Sequence, residues 1–169
     1  RGADHACLRG IVRGGSKMEW ASVINNPLLR DLPFKIELNK WGQIVMSPAS
    51  NRHGQLQYEV GKVIDGKKGS GKIIMECSID TPDGVKVADV AWVSDAFLER
   101  FDLQTPYPQA PEICVEVVSP STSRGEIEEK IQLYLGQGAH EVWVVSEEGN
   151  ARYYSSEGEM AESDEINRR

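Results

Sequence analysis

Hydrophobic positions along this chain switch between two periods. Leu56, Val60, Val63 and Ile64 recur at i, i+4, i+7 and i+8, which predicts an amphipathic helix over 49–65, entered through Ser47-Pro48-Ala49-Ser50. Residues 66–71, rich in glycine and lysine, close it. Ile127, Ile131, Tyr134 and Leu135 mark a second helical stripe; Ser123 and Glu126 stand at capping-box spacing before it, and Gly136 and Gly138 end it. A short helix is expected over 20–29. Elsewhere the pattern is that of strands. Residues 34–38 and 43–46 flank Asn39-Lys40-Trp41-Gly42, and 72–79 and 85–93 flank Thr81-Pro82-Asp83-Gly84, so each pair reads as a hairpin. Residues 113–118 are almost wholly apolar, as in a strand covered on both faces. Residues 141–146 and 151–154 form a third hairpin around Glu148-Gly149-Asn150. Residues 97–111 read as irregular and proline-rich, and the acidic tail from Ser155 as frayed. Strands interleaved with helices imply a mixed sheet with helices packed on it, an α/β or α+β sandwich.

Composition narrows the classes. A chain of 169 residues suits one compact domain, and 40% hydrophobic with 27% charged residues excludes disorder as the dominant state. No apolar run approaches bilayer length, so no membrane span is expected. Residues 1–17 differ from the rest: four basic side chains against Asp4, four glycines and no sustained period. They read as a flexible or appended leader, with the domain spanning 18–169 and its natural start at Met18. The net charge of −7 argues against a broadly basic nucleic-acid surface. It does not argue against a metal-dependent nuclease, whose site collects carboxylates and whose bound cation reverses the local field. Cys7, Cys77 and Cys114 fit neither a disulfide framework nor a zinc pattern, and the expectation is a reducing compartment, the cytoplasm. Cys77 and Cys114 read as small buried hydrophobes, and Trp92 and Trp143 as core.

The chemistry sits where strands carry the wrong residues. Asp89 stands in the largely apolar strand 85–93, and Glu116 shares a face with Cys114 and Val118 in the covered strand 113–118. A charged carboxylate in such a strand costs several kcal/mol unless it is paired or binds metal. Singly, each is explained by an ion pair; two in central strands point to a metal site. At 100° per residue, Lys130 falls inside the apolar stripe of its helix. It either snorkels, pairs with Glu126, or reaches the cavity of Glu116. His53 lies on the helical face of Leu56 and Val60 and serves either as a core histidine or as a contact to a metal-bound water or phosphate. Glu76, on the strand before Asp89, either extends the carboxylate cluster or faces solvent; Glu37 and Glu59 are candidates of the same kind. Lys67, Lys68 and Lys72 could touch a nucleic-acid backbone, although residues 66–71 lack phosphate-loop spacing.

These residues carry a resemblance. The string PEICVEVVSPSTSRGEIEEKIQLYLGQGAHEVWVV, with GQIVMSPASNRHGQL and VKVADVAWVS upstream, resembles the Uma-two family of restriction-endonuclease-like proteins, within the PD-(D/E)xK nuclease superfamily. The resemblance covers roughly residues 34–154. It implies a restriction-endonuclease-like mixed β-sheet core flanked by helices, with Asp89, Glu116 and Lys130 matching the family's aspartate, strand acid and lysine. In the wider superfamily the lysine lies two residues after the acid; here that position is Val118, and the lysine has moved to the following helix. Ala88 replaces the proline common before the aspartate, a difference of backbone shape rather than of ligand. The implied activity is a Mg²⁺- or Mn²⁺-dependent endonuclease on DNA. Asp89, Glu116 and the Val117 carbonyl would hold the metal, and Lys130 would orient a metal-activated water or offset phosphate charge. Such nucleases often act as homodimers. The alternative is a noncatalytic nucleic-acid-binding or dimeric interaction module on the same frame.

Overall fold

The computed structural model describes residues 19–167. The reading of residues 1–17 as a leader and of Met18 as a start lies outside them, as does Cys7. Two strands, β1 (Phe34–Leu38) and β2 (Ile44–Pro48), form an antiparallel hairpin. The main sheet has six strands: β3 (Lys72–Thr81), β4 (Gly84–Val93), β5 (Ile113–Val118), β6 (Glu141–Ser146), β7 (Ala151–Ser155) and β8 (Gly158–Met160). They lie side by side in sequence order. All neighbours are antiparallel except β5 and β6, which are parallel. The helix α4 (Arg124–Gly136) makes that crossover, because two parallel strands cannot be joined by a tight turn. Ser123 caps it by accepting the Glu126 amide at 3.2 Å.

Helices cover both faces of the sheet. On one face α2 (Asn51–Lys68) lays Leu56 and Ile64 on Val90, Trp92, Ile113, Val115 and Trp143. On the other, Ile131 and Tyr134 of α4 and Phe97 of α3 (Asp95–Phe101) pack on Cys77, Ala91, Cys114 and Val142. Every residue of β4 is buried, as expected of the strand under both layers and the hairpin. A third apolar cluster, Trp20 and Val23 of α1 (Trp20–Ile24) with Leu38, Val85 and Val87, seats the β1–β2 hairpin on the first half of β4. The seat is close. A Cβ on Gly84, whose φ is +89°, would stand 2.3 Å from the Leu38 carbonyl oxygen. Gly84→Ala is therefore expected to destabilise the protein by about 1–3 kcal/mol, read as a lower urea midpoint with unchanged slope.

Three sequence expectations are corrected. Residues 97–111 are not wholly irregular: Ser94 accepts the Phe97 amide at 3.1 Å and starts α3, whose Phe97 and Phe101 pack against Tyr107. The first helix stops at Ile24 instead of 29, ahead of Asn25, Asn26 and Pro27. The tail does not fray after Ser155. β8 pairs with β7, and α5 (Asp164–Asn167) is tied down where buried Glu141 accepts the Glu165 amide at 2.8 Å and the Ser163 hydroxyl at 2.6 Å. Side chains also do not alternate strictly along β4. Ala88 and Ala91 join one core cluster and Val90 and Trp92 the other, so the pleat is broken around Asp89. Directly across β3, Glu76 adopts φ +52°, a conformation costly for a residue with a side chain. No described helix is long and apolar enough to cross a membrane. Trp92, Trp143, Cys77 and Cys114 are all buried.

Candidate active site

The site forms where the central sheet splits. The β4–β5 ladder pairs Trp92, Ala91 and Val90 with Ile113, Cys114 and Val115, and no pair follows. The next residues would be Asp89 and Glu116. Instead of a backbone partner, the Val117 amide donates to Asp89 Oδ2 at 2.7 Å, so the aspartate replaces the lost ladder bond. On the other side, the β3–β4 register sets Glu76 opposite Asp89, between the pairs Met75–Val90 and Cys77–Ala88. Three adjacent strands thus carry Glu76, Asp89 and Glu116 in one row.

Two layers close on this row. From α2, His53 Nε2 lies 3.2 Å from Asp89 Oδ1, and Gln57, one helical turn on, donates to Glu76 in a short hydrogen bond. From α4, Lys130 Nζ lies 3.2 Å from Glu116 Oε2, and the Tyr134 hydroxyl donates to Glu116 Oε1 at 2.7 Å. The hairpin adds two charges. Lys35 Nζ bridges Asp89 Oδ1 at 2.8 Å and Glu116 Oε2 at 3.1 Å. Glu37 Oε1 accepts from Lys130 Nζ at 2.9 Å and from the Val87 amide at 2.7 Å. Asp89 is 1% exposed and Glu116 6%. A cleft of about 380 Å³ opens from this network, lined also by Ser50, Ser119, Ser121 and Thr122.

The electrostatics separate the carboxylates. Burial pushes every one of them up, and the outcome depends on the cations each faces. Lys35 and the hydrogen bond from His53 outweigh burial at Asp89 and hold its carboxyl well below the usual range. Lys130 and Lys35 do the same for Glu37. At Glu116, burial and the neighbouring acids win over both lysines, and its carboxyl is raised. Tyr134, buried against Glu116, is held well above its ordinary value, so it stays a donor. The Lys35 ammonium is locked in its charged form: burial opposes the charge, but Glu116, Asp89 and Glu37 overcome it. The hydrogen bond to Asp89 raises His53. Metal-free protein should show a His53 imidazole titration midpoint above the ordinary ~6.5, falling back toward it in Asp89→Asn, as read by ¹H–¹⁵N NMR. The sign follows from the raised midpoint: the His53–Asp89 attraction is complete below pH ~6.5 and is lost as pH rises through the native midpoint.

The residues fit a hard divalent cation. One donor atom each of His53, Glu76 and Asp89 lies within 4.8 Å of the other two. Glu116 is joined to Asp89 through a single bridging ammonium. Four carboxylates, Glu37, Glu76, Asp89 and Glu116, face only two lysines, and oxygen donors with one imidazole suit Mg²⁺ or Mn²⁺.

The structure brings Asp89, Glu116, Lys130, His53, Glu76 and Glu37 together and leaves Glu59 aside, exposed on α2 and bonded to Gln55. Lys67 and Lys72 are exposed away from the cleft lining, and Lys68 pairs with Glu165 at 2.8 Å. Sequence reading missed Lys35 and Gln57, and took Tyr134 as plain core. Lys35 carried no sequence signal of its own: it shares a face with Glu37 at i, i+2 in a hairpin strand, and only a partner layer over that face covers it. Gln57 had one usable signal, its position four residues after His53.

A crystal structure titled as a "putative nuclease belonging to DUF820" from Anabaena variabilis shares the fold, with a TM-score of 0.58 at 19% identity over 71% of each chain. No curated protein matches the chain. Residues 28–167 match the family model Uma2, described as "Putative restriction endonuclease", and that match takes in both helical layers, the hairpin and every residue of the carboxylate row, so the chain belongs to the Uma2 family.

Proposed function

We propose that the protein is a divalent-cation-dependent endonuclease that hydrolyses phosphodiester bonds in DNA. One observation carries this reading: Glu76, Asp89 and Glu116 form a row across three strands at the point where the sheet splits, with His53 of α2 against Asp89 and Lys130 of α4 against Glu116. Asp89 and Glu116 would hold Mg²⁺ or Mn²⁺, with the Val117 carbonyl as a main-chain ligand; Glu76 and His53 add donors beside Asp89. A cation bound there supplies Lewis acidity toward a phosphate oxygen and a water of lowered pKa.

The chain's own groups have distinct tasks. Asp89, ionised throughout the neutral range, is the permanent anion of the site. Tyr134 fixes the Glu116 carboxylate through Oε1 and leaves Oε2 facing the cleft side with the lysines. Lys130 Nζ holds positive charge beside Glu116, where it can offset charge on a phosphate or orient an attacking water. His53, half-buried at the cleft, can hold or release a proton at Nε2 near neutral pH. The hydroxyls of Ser50, Ser119, Ser121 and Thr122 offer donors to a phosphate backbone. Cutting both strands of a duplex would need two such sites, which a homodimer supplies. Free buried thiols at Cys77 and Cys114 accord with a cytoplasmic setting.

The test is cleavage of supercoiled plasmid and of single-stranded DNA with Mg²⁺ or Mn²⁺, beside EDTA. Cutting that EDTA stops supports the reading; the absence of cutting on both substrates with either metal overturns it. A second reading, a noncatalytic nucleic-acid-binding or dimeric interaction module, draws on the Lys35 bridge, which already holds Asp89 and Glu116 together without a metal. It predicts binding of DNA or self-association, with no cutting.

A further inference from the structure

We infer that the Lys35 ammonium occupies the cation position shared by Asp89 and Glu116, and that a divalent cation binds this pair only by displacing it. The inference rests on the reading of the site as a divalent-cation site and names the residue of this chain that governs entry to it.

Three observations carry it. Among the described residues, Lys35 Nζ is the one side-chain cation paired with both carboxylates, at 2.8 Å to Asp89 Oδ1 and 3.1 Å to Glu116 Oε2. The remaining oxygens are engaged elsewhere: Asp89 Oδ2 by the Val117 amide and Glu116 Oε1 by Tyr134. Ammonium and metal therefore compete for the same lone pairs. Lys35 also comes from a separate structural unit. The β1–β2 hairpin forms its own two-stranded sheet, separate from the six-stranded one. The Lys35 side chain lines the cleft, so its flexible stem can swing the ammonium out without moving the strand. Lys130 is placed differently. It is shared between Glu116 and Glu37 and makes no contact with Asp89.

The exchange has a direct consequence. In the ligand-free site the ammonium offsets part of the negative charge, which avoids two bare buried carboxylates, and metal affinity is set by the difference between two cations. Once displaced, the ammonium stays in the cleft as an added positive charge facing an incoming phosphate.

Lysine ¹H–¹⁵N NMR of the full chain tests this with Mg²⁺ alone. A hydrogen-bonded buried ammonium gives a sharp Nζ signal; one freed to water loses it by exchange. Lys35→Gln assigns the signal, and selective triple-resonance labelling assigns it in the wild type should that variant not fold. The Val117 amide, bonded to Asp89, reports metal arrival independently. The expected result is a Val117 shift on Mg²⁺ addition together with loss of the Lys35 signal while the Lys130 signal persists. A Val117 shift with the Lys35 signal intact overturns the displacement and leaves the metal site standing. No Val117 shift even at high Mg²⁺ overturns both.

Discussion

Asp89→Asn is expected to lower metal-dependent DNA cleavage on the order of 10³-fold or more, the scale on which a preorganised charge at a reacting centre acts. Asparagine is the informative replacement because it keeps the side chain's volume and an oxygen for the Val117 amide. What it removes is the anion. Lys35 then keeps Glu116 as its sole carboxylate partner, and His53 loses the partner that holds its proton. Stability should fall as well, by about 1–3 kcal/mol, the range for a disturbed buried charged hydrogen-bond group. The pH dependence has a definite sign. The native carboxyl of Asp89 is held below its unfolded value of ~3.9, so its contribution is fully present above that pH and disappears as pH falls through the lowered native value. The wild-type advantage in urea denaturation should therefore be full at pH 7 and shrink steadily in acid below pH ~4. A variant that still cuts at the wild-type rate would remove Asp89 from the reaction.

Lys130→Met should cost both stability and activity. Its ammonium pairs with Glu37 at 2.9 Å and Glu116 at 3.2 Å, and all three side chains are at most 13% exposed. Deleting one partner of a buried pair leaves charge without compensation, at a cost of ~3–5 kcal/mol. The lower end is expected here, because Lys35 remains beside Glu116 and the Val87 amide beside Glu37. Adding Glu37→Gln removes the stranded charge. The double variant should regain more than ~1 kcal/mol over simple additivity, measured by urea denaturation in EDTA. Cleavage should stay lost in both, since the lysine proposed to offset phosphate charge is gone. Additive stability effects would mean the Lys130–Glu37 pair contributes nothing.

Particular elements mark how far the amino-acid order reaches. The period of Leu56, Val60 and Ile64 placed α2, and the apolar run at 113–118 placed β5, because one buried face or two buried faces leave a direct imprint on composition. The same logic exposed Asp89, Glu116 and Lys130: each is a charge in a position that its neighbours mark as covered. α3 escaped because seven residues carry too few turns for a period, and its stability comes from the Phe97, Phe101 and Tyr107 rings meeting in space. The tail looked unstructured because its acidic residues cannot bury alone; Glu165 is held by Lys68, His140 and the Glu141 carboxylate that takes its backbone amide.

By itself, then, the sequence determined the alternation of strands and helices, the two-sided cover of the central strands and the three charges that violate it. These are local properties, written in period and residue type. The tertiary structure alone decided which charges meet. Strand register put Glu76 opposite Asp89, and the split of β4 from β5 left Asp89 to take the Val117 amide. The hairpin, folded across that split, brought Lys35 onto Asp89 and Glu37 onto Lys130. Register and layer docking depend on contacts between residues tens of positions apart, and no local pattern encodes which side of a strand another layer will cover.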